Sequence, residues 1–181
     1  MAGAMSTFVN KGIHKDPIFI TKICDNKGMV LEVFNSKSNS ALDEETSYLV
    51  LELMKGVVDG GTGGRLRFRY GLTSTIAGKT GTTDNNSDGW FIGLNPKLAT
   101  AVWVGGELRS IHFRSTALGQ GASMALPVYA LFMKRCEKDP KLNFYKGDFD
   151  RPPTMSVDMD CSNYFQEIDQ GTMEQERNKE W

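Results

Sequence analysis

The stretch IAGKTGTTDNNSDGWFIG, from Ile76 to Gly93, decides the fold. It begins with an apolar run that contains Lys79, and it ends with a second apolar run that is rich in aromatic residues. Residues 84–88 between the two runs are Asp, Asn and Ser, which favour turns. The pattern predicts two strands joined by a polar loop, with glycines where neighbouring backbones come close.

A phosphate-binding loop is the first function to test, because Gly78, Lys79 and Thr80 match the end of G-x-x-x-x-G-K-[ST]. The first glycine of that motif would fall at position 73, which is Thr73. The residues after the motif predict a loop and a strand, so no helix N-terminus would face a phosphate. A phosphate loop is therefore excluded, whereas a Gly/Thr-rich strand that only passes close to its neighbour stays possible.

Other segments predict further antiparallel pairing. GWFIGL and LATAVWVGG are separated by NPK, which indicates a hairpin. LATAVWV has no polar side chain except Thr100, so we expect a strand that is covered on both sides. Upstream, PIFITKI and MVLEVF flank the turn sequence CDNKG and predict another hairpin, and NSKSNS is predicted to be a polar loop.

Three helices are expected. MSTFVNKGI is typical of a short helix that ends near Gly12. Ser40 and Asp43 form a capping-box pattern, which predicts a helix over residues 42–58 that ends at DGGTGG. The last helix is predicted to hold Pro127 in its first turn or at a kink. Its predicted apolar face consists of Met124, Val128, Leu131, Phe132 and Cys136.

Between the second helix and the central strand, RLRFRYG alternates basic and apolar residues. A period of two predicts an extended segment whose basic face, Arg65, Arg67 and Arg69, is solvated or contacts an anionic ligand. Helices together with tight hairpins predict an α+β fold, an antiparallel sheet with covering helices. The domain is expected over residues 1–139, and residues 140–181 are expected to form a polar C-terminal tail that is peripheral or partly disordered.

Composition excludes several classes of function. The 181 residues carry 21 basic and 22 acidic side chains, so the net charge of −1 does not suggest a nucleic-acid partner. No apolar run is long enough for a membrane span, and the N-terminus lacks the pattern of a signal peptide. The three cysteines are widely spaced, and His14 and His112 have no metal-spaced partners, so we expect neither a metal nor a cofactor.

K-T-G, at residues 79–81, is one of three motifs in serine enzymes that act on D-alanyl peptides or β-lactams; the others are S-x-x-K and S-x-N. AGKTGTT, a polar loop, DGWFIG and TAVWVGG together resemble the transpeptidase domain of class A penicillin-binding proteins. Three further segments match that domain in the same order and extend the resemblance over about residues 2–136: GAMSTFVNKGIHKDPIFITKICDNKG, DEETSYLVLELMKGVVDGGTG and GQGASMALPVYALFMK.

The residues of this strand suit acyl-transfer chemistry. Thr80 and Thr82 share one face, where two hydroxyls can hold a terminal carboxylate, and Gly81 leaves room for a substrate backbone. The backbone N–H of Thr82 can act as an oxyanion donor. The resemblance assigns substrate binding to Thr80, Gly81 and Thr82, and catalytic roles to Thr82 and Lys79. It implies that Lys79 reaches around the strand, adds positive potential and assists proton transfer through the serine of S-x-N.

Acyl transfer also needs a nucleophile and a base, and the sequence supplies neither S-x-x-K nor S-x-N. In the family both motifs lie upstream of K-T-G. The chain is therefore expected to be the C-terminal part of a transpeptidase domain with a partial serine-transpeptidase/β-lactamase-like fold, inactive alone, whose nucleophile lies outside this chain.

The resemblance implies a D,D-transpeptidase parent that cross-links peptidoglycan stem peptides ending in D-Ala-D-Ala through an acyl-serine and binds β-lactams. It also implies a glycosyltransferase domain in the parent and a periplasmic location at the inner membrane. Two alternatives stay open: a non-catalytic binding module, or a fragment of a related D,D-carboxypeptidase or serine β-lactamase. A fragment of the domain would lack strands and helices that cover this sheet in the parent. It would then expose apolar surface or a strand edge, so self-association is expected.

Overall fold

The computed structural model describes residues 1–142 and 146–160. The helices in this part are α1 Ala2–Val9, α2 Glu44–Asp59, α3 Arg65–Phe68, α4 Thr116–Gly119 and α5 Gly121–Lys138. The strands are β1 Ile13–Lys15, β2 Lys22–Cys24, β3 Val30–Val33, β4 Ser38–Ser40, β5 Ala77–Thr82, β6 Asp88–Asn95 and β7 Leu98–Gly105. All strand pairs are antiparallel, so the predicted α+β class is confirmed.

The central sheet has the strand order β5-β6-β7, and its first two strands lie largely within the stretch Ile76 to Gly93. The register places Gly78 opposite Gly93, and Thr82 opposite Gly89. Residues that lie directly opposite each other share a face, so one side of the sheet carries a glycine row, Gly78, Gly89 and Gly93, on either side of Phe91. That side can therefore receive a helix at close range.

Helix α5 occupies this side. Tyr129 of α5 lies over Gly93, and its ring packs against Phe91 with ring centroids 5.0 Å apart. At the other end of the strands, the N-terminus of α5 lies against Gly89. The core between α5 and the sheet consists of Val58, Leu66, Leu72, Ile76, Phe91, Ala125, Leu126, Tyr129, Ala130 and Met133.

The opposite side of the sheet is covered by α1 and α2. Leu51 and Met54 of α2 pack with Ala77, Ile92 and Leu94. Asp43 caps the N-terminus of α2, because its carboxylate accepts a hydrogen bond from the backbone N–H of Thr46 (2.7 Å). This hydrogen bond holds the pKa of the Asp43 carboxyl below its ordinary value. The sheet thus has helices on both sides, as in other layered folds.

Both predicted hairpins are confirmed. β2 and β3 pair across a turn in which Asp25 Oδ1 accepts hydrogen bonds from the backbone N–H groups of Lys27 and Met29, at 2.8 Å each. β6 and β7 pair across Pro96 and Lys97. The first hairpin is exposed along both strands, and Phe19 before it is 100% exposed.

Three local predictions upstream of β5 are wrong. The segment NSKSNS is not only a loop, because its last residues form β4 and pair with β1. The helix cap is Asp43 and not Ser40, which lies in β4. RLRFRYG is not extended: Arg65–Phe68 form one helical turn, because Leu66 is buried and Arg67 is bound by Asp59 (2.9 Å) and by backbone carbonyls.

One burial prediction is confirmed in part and one is wrong. β7 lies at the edge of the sheet, but both of its faces pack on the core: Leu98, Val102 and Val104 contact one cluster, and Ala99 and Ala101 contact the other. Near its end, Trp103 is 47% exposed. The middle of the predicted face of α5 points outward, because Val128, Leu131 and Phe132 are 44–56% exposed. At its two ends the prediction holds: Met124 lies against Gly89 of the sheet, and Cys136 is buried. The buried face consists of small residues together with Leu126, Tyr129 and Met133, and the glycines of β6 let the helix approach the sheet closely.

The chain divides into two compact units, Met1–Arg151 and Pro152–Trp181, of which the second is described only over residues 152–160. In the first unit, Phe149 is buried in the cluster that contains Leu51, so this unit continues past residue 139. The polar tail predicted over residues 140–181 stays a prediction, and residues 143–145 and 161–181 lie outside the described part. No helix in the described part is both long and apolar enough to cross a bilayer.

Tyr129 provides a stability test of this packing. Its hydroxyl is buried and has no hydrogen-bond partner within the described residues, and burial raises the pKa of the phenol. Because a buried unpaired hydroxyl is costly, Tyr129→Phe is expected to leave the free energy of unfolding unchanged or to raise it by about 1 kcal/mol. Urea unfolding of the two proteins measures this difference. A loss of more than about 1 kcal/mol would contradict the absence of a partner.

Candidate functional site

The open edge of β5 carries the predicted site residues. No described strand pairs with this edge. The backbone N–H of Thr83 donates to the carbonyl of Asp88 at 3.2 Å, toward β6. Because successive N–H groups of a strand point in opposite directions, the N–H of Thr82 points away from β6 and toward the open edge.

The side chain of Thr82 is exposed and held in place by α5. Its Oγ1 accepts a hydrogen bond from the backbone N–H of Gly121, the first residue of α5, at 3.0 Å. The hydroxyl proton is therefore free to donate to a ligand. A side chain at Gly121 would collide with the backbone oxygens of Gly81 and Trp90, so only glycine lets α5 begin this close to the strand.

Thr80 lies on the same face as Thr82 and is partly buried. Its Oγ1 is 2.8 Å from Oγ1 of Thr62. Thr62 belongs to the loop that follows α2, in the sequence GGTGG. Three hydroxyls from two segments, Thr62, Thr80 and Thr82, thus line one side of the strand.

Lys79 points to the other face, as the alternation of the strand requires, and its side chain is exposed. Its Nζ donates to the carbonyl of Thr80 at 2.7 Å. That carbonyl points to the open edge because Thr80 has the same orientation as Thr82. The ammonium group therefore lies beside the open edge, where it adds positive charge.

A polar network fixes the N-terminus of α5 behind these hydroxyls. Arg65 donates to the carbonyl of Ala122 (3.2 Å) and to Oγ of Ser123 (2.9 Å). Ser123 in turn donates to the carbonyl of Ala117 (2.8 Å). Its hydroxyl is thus engaged in structure, and no lysine stands three residues after it. Arg65 and the positive end of the helix dipole add to the field of Lys79.

The polar loop after β5 forms a turn, as predicted. Asn85 and Asn86 both have positive φ, at 61° and 55°, which asparagine tolerates better than most residues. The loop is fixed by Gly119, where any side chain would collide with Asn86. These residues thus shape the end of the strand.

Sequence reasoning found Lys79, Thr80, Gly81 and Thr82, and the structure brings them together at one strand edge. It missed Thr62, Gly121 and Ser123, and it gave Arg65 an extended backbone. The only signal for Thr62 was its position between glycines. In the described residues, no group of three or more His, Cys, Asp and Glu side chains could hold a metal ion. Cys24 is exposed and Cys136 is buried, and both are free thiols.

Comparisons with known proteins agree with this architecture. Residues 1–122 match the model of the penicillin binding protein transpeptidase domain. Penicillin-binding protein 1A of Aquifex aeolicus is 33% identical over 156 residues, which are 84% of this chain and 20% of that protein. Penicillin-binding protein 1A of Clostridium acetobutylicum is 32% identical over 153 residues, 84% of this chain and 17% of that protein.

A solved structure is similar as well. The crystal structure of penicillin-binding protein 1A from Haemophilus influenzae matches with a TM-score of 0.72 at 24% identity, and the match covers 84% of this chain and 27% of that one. The chain belongs to the penicillin-binding protein transpeptidase domain family. It spans about a fifth of the length of the curated relatives named above.

Proposed function

We propose that this chain forms the carboxylate-binding wall of a D,D-transpeptidase site whose nucleophilic serine lies outside residues 1–181. One observation carries the proposal: the hydroxyl of Thr82, its backbone N–H and the ammonium group of Lys79 converge at the open edge of β5. Such a set of donors and positive charge suits a peptide that ends in a free carboxylate. The membership of the penicillin-binding transpeptidase family supports the same reaction.

In the proposed reaction, the serine oxygen attacks the carbonyl carbon between the two D-alanines of a stem peptide. The peptide bond breaks, and the terminal D-alanine leaves with a proton on its nitrogen. An amine of a second stem peptide then attacks the acyl-serine ester, forms the cross-link and returns the proton to the serine. A β-lactam enters the first step in the same way, but its ring amide opens without releasing a separate product.

The residues of this chain have three roles in that scheme. Thr80 and Thr82 hold the terminal carboxylate of the substrate through their hydroxyls. The N–H of Thr82 is one donor to the oxyanion of the tetrahedral intermediate, and such a donor contributes about 2.7–4 kcal/mol. Lys79 stabilises the carboxylate by its charge and assists proton transfer with groups supplied from outside the chain. Gly81 lets the substrate backbone lie against the strand.

The parent protein is proposed to be a serine-type peptidoglycan synthase that also carries a glycosyltransferase domain. It is proposed to work at the periplasmic face of the bacterial inner membrane. The support is the similarity to two proteins called penicillin-binding protein 1A.

Acylation tests the proposed function. Residues 1–181 are joined to the upstream part of a transpeptidase domain that carries S-x-x-K and S-x-N. This polypeptide is expected to become covalently labelled by a fluorescent penicillin at the upstream serine. The matched control replaces that serine with alanine and is expected to remain unlabelled. If a correctly folded polypeptide with an intact serine takes up no label, the proposal is wrong.

The isolated chain is also proposed to self-associate. Apolar side chains of α5, Val128, Leu131 and Phe132, are exposed, and β7 has an edge that no described strand pairs with. A second copy could cover both features. Light scattering should show a mean mass that rises with concentration, and Leu131→Glu with Phe132→Glu should lower it. A sharply monomeric species at all concentrations would count against this proposal.

A further inference from the structure

We propose that Thr62 is a specificity-determining residue of this wall, which aligns Thr80 for a free carboxylate. The inference rests on the proposed function and deepens it, because it adds a residue from the loop after α2. Thr62 lies outside the strand that carries K-T-G. Its assignment starts from the 2.8 Å distance between Oγ1 of Thr62 and Oγ1 of Thr80.

The loop that carries Thr62 is built to hold one side chain in place. The backbone N–H of Gly63 donates to the carbonyl of Val57 at 2.8 Å, and that of Gly64 donates to the carbonyl of Gly61 at 3.0 Å. A Cβ atom at Gly61 would lie 2.9 Å from the oxygen of Val57, and one at Gly63 would lie 3.1 Å from it. The glycines fold the loop tightly onto the end of α2, so Thr62 is the one side chain that the loop offers to β5.

The number of protons limits how the pair can bind a ligand. Each hydroxyl carries one proton, and the Thr62–Thr80 hydrogen bond uses one of the two. If Thr62 donates to Thr80, the proton of Thr80 remains available for a ligand. Thr82 has the same arrangement, because its oxygen accepts from Gly121 and its proton stays available. Thr80 and Thr82 can then donate one hydrogen bond to each oxygen of a carboxylate.

The charges around the pair favour this direction. The ammonium group of Lys79 lies at the open edge of the same strand, and the positive end of α5 lies behind Thr82. A carboxylate placed there attracts both free protons, which in turn makes Thr62 the donor to Thr80. A neutral C-terminal amide lacks the second acceptor oxygen and the charge. Thr62 should therefore matter for the acid and have little effect on the amide.

The test is a titration of the full 181-residue chain, followed by ¹H–¹⁵N NMR. The probes are N-acetyl-D-Ala-D-Ala and the same peptide with a C-terminal amide. In the wild-type chain, the peptide acid is expected to shift the backbone N–H resonances of Thr80 and Thr82 more strongly than the C-terminally amidated peptide does. Thr62→Val removes the hydrogen bond from Thr62 to Thr80, so it should weaken binding of the peptide acid about tenfold. The affinity for the amidated peptide should stay the same. The matched control Thr62→Ser keeps the hydroxyl and should bind the acid within about twofold of the wild type.

Each other outcome has a definite meaning. If the wild-type chain shows no acid-specific shift at β5, the proposed function fails, and this inference fails with it. If the wild-type shift is present and Thr62→Val keeps the wild-type affinity, only the role of Thr62 is overturned. Equal weakening by valine and serine would also overturn it, because the effect would then come from the loop and not from the hydroxyl. A thermal melt of each variant verifies that it is folded.

Discussion

Replacing Gly93 with alanine is expected to destabilise the fold by about 3 kcal/mol, at the upper end of the usual cost of overpacking. A methyl group at this position would collide with the ring of Tyr129, whose hydroxyl oxygen would be 2.7 Å away. Tyr129 is almost fully buried between α5 and the sheet, so its ring cannot move without separating these two layers. Urea unfolding measures the change.

Gly56→Ala is the matched control. Gly56 lies inside α2, and a Cβ atom there meets nothing within 4 Å. Because alanine is the better helix former, this variant is expected to gain about 0.5–1 kcal/mol. A double-mutant cycle of Gly93→Ala with Tyr129→Leu should show a favourable coupling, because the shorter side chain removes the collision. If Gly93→Ala is as stable as the wild type, the packing of α5 on the glycine row is wrong.

Replacing Thr82 with valine is expected to slow acylation by penicillin between tenfold and a hundredfold in the polypeptide that includes the upstream serine. The variant removes the hydroxyl that would donate to the carboxylate of the drug, a charged hydrogen bond of about 1.5–3 kcal/mol. It also leaves the backbone N–H of Gly121 without its acceptor, so a modest loss of stability is expected as well. Stopped-flow fluorescence with a labelled penicillin gives the rate constant.

Thr82→Ser separates these effects. Serine keeps both the acceptor for Gly121 and the proton for the ligand, so its acylation rate should stay within about threefold of the wild type. A methyl ester of the same penicillin has no free carboxylate, and Thr82→Val should change its reaction little. If valine and serine slow the acid and the ester alike, Thr82 does not act through the carboxylate.

The sequence predicted the central sheet well, because its signals are local. Short apolar runs and the turn residues at 84–88 and 95–97 are enough to predict β5, β6 and β7. The site residues Lys79–Thr82 followed from a motif and from the period of two along a strand. These features depend on residues that are close in sequence, so a single sequence is enough to predict them.

The predictions that failed depend on contacts distant in sequence. Both sides of α5 are apolar, and Tyr129 faces the sheet while Leu131 does not, because Gly93 of β6 leaves room for the tyrosine ring. RLRFRYG alternates like a strand, but the ion pair of Arg67 with Asp59 and the burial of Leu66 favour a helical turn. Thr62 meets Thr80 only because a tight loop folds back from α2, so its part in the site was hidden as well.

Intact-mass analysis of the isolated 181-residue chain after incubation with benzylpenicillin tests whether this chain lacks the nucleophile. Residues 1–181 contain no S-x-x-K, and the hydroxyl of Ser123 beside the wall is engaged by Arg65 and by the carbonyl of Ala117. We expect an unchanged mass, since this chain supplies the wall of the site and not its nucleophile. A stoichiometric acyl adduct on any serine of the chain would contradict it.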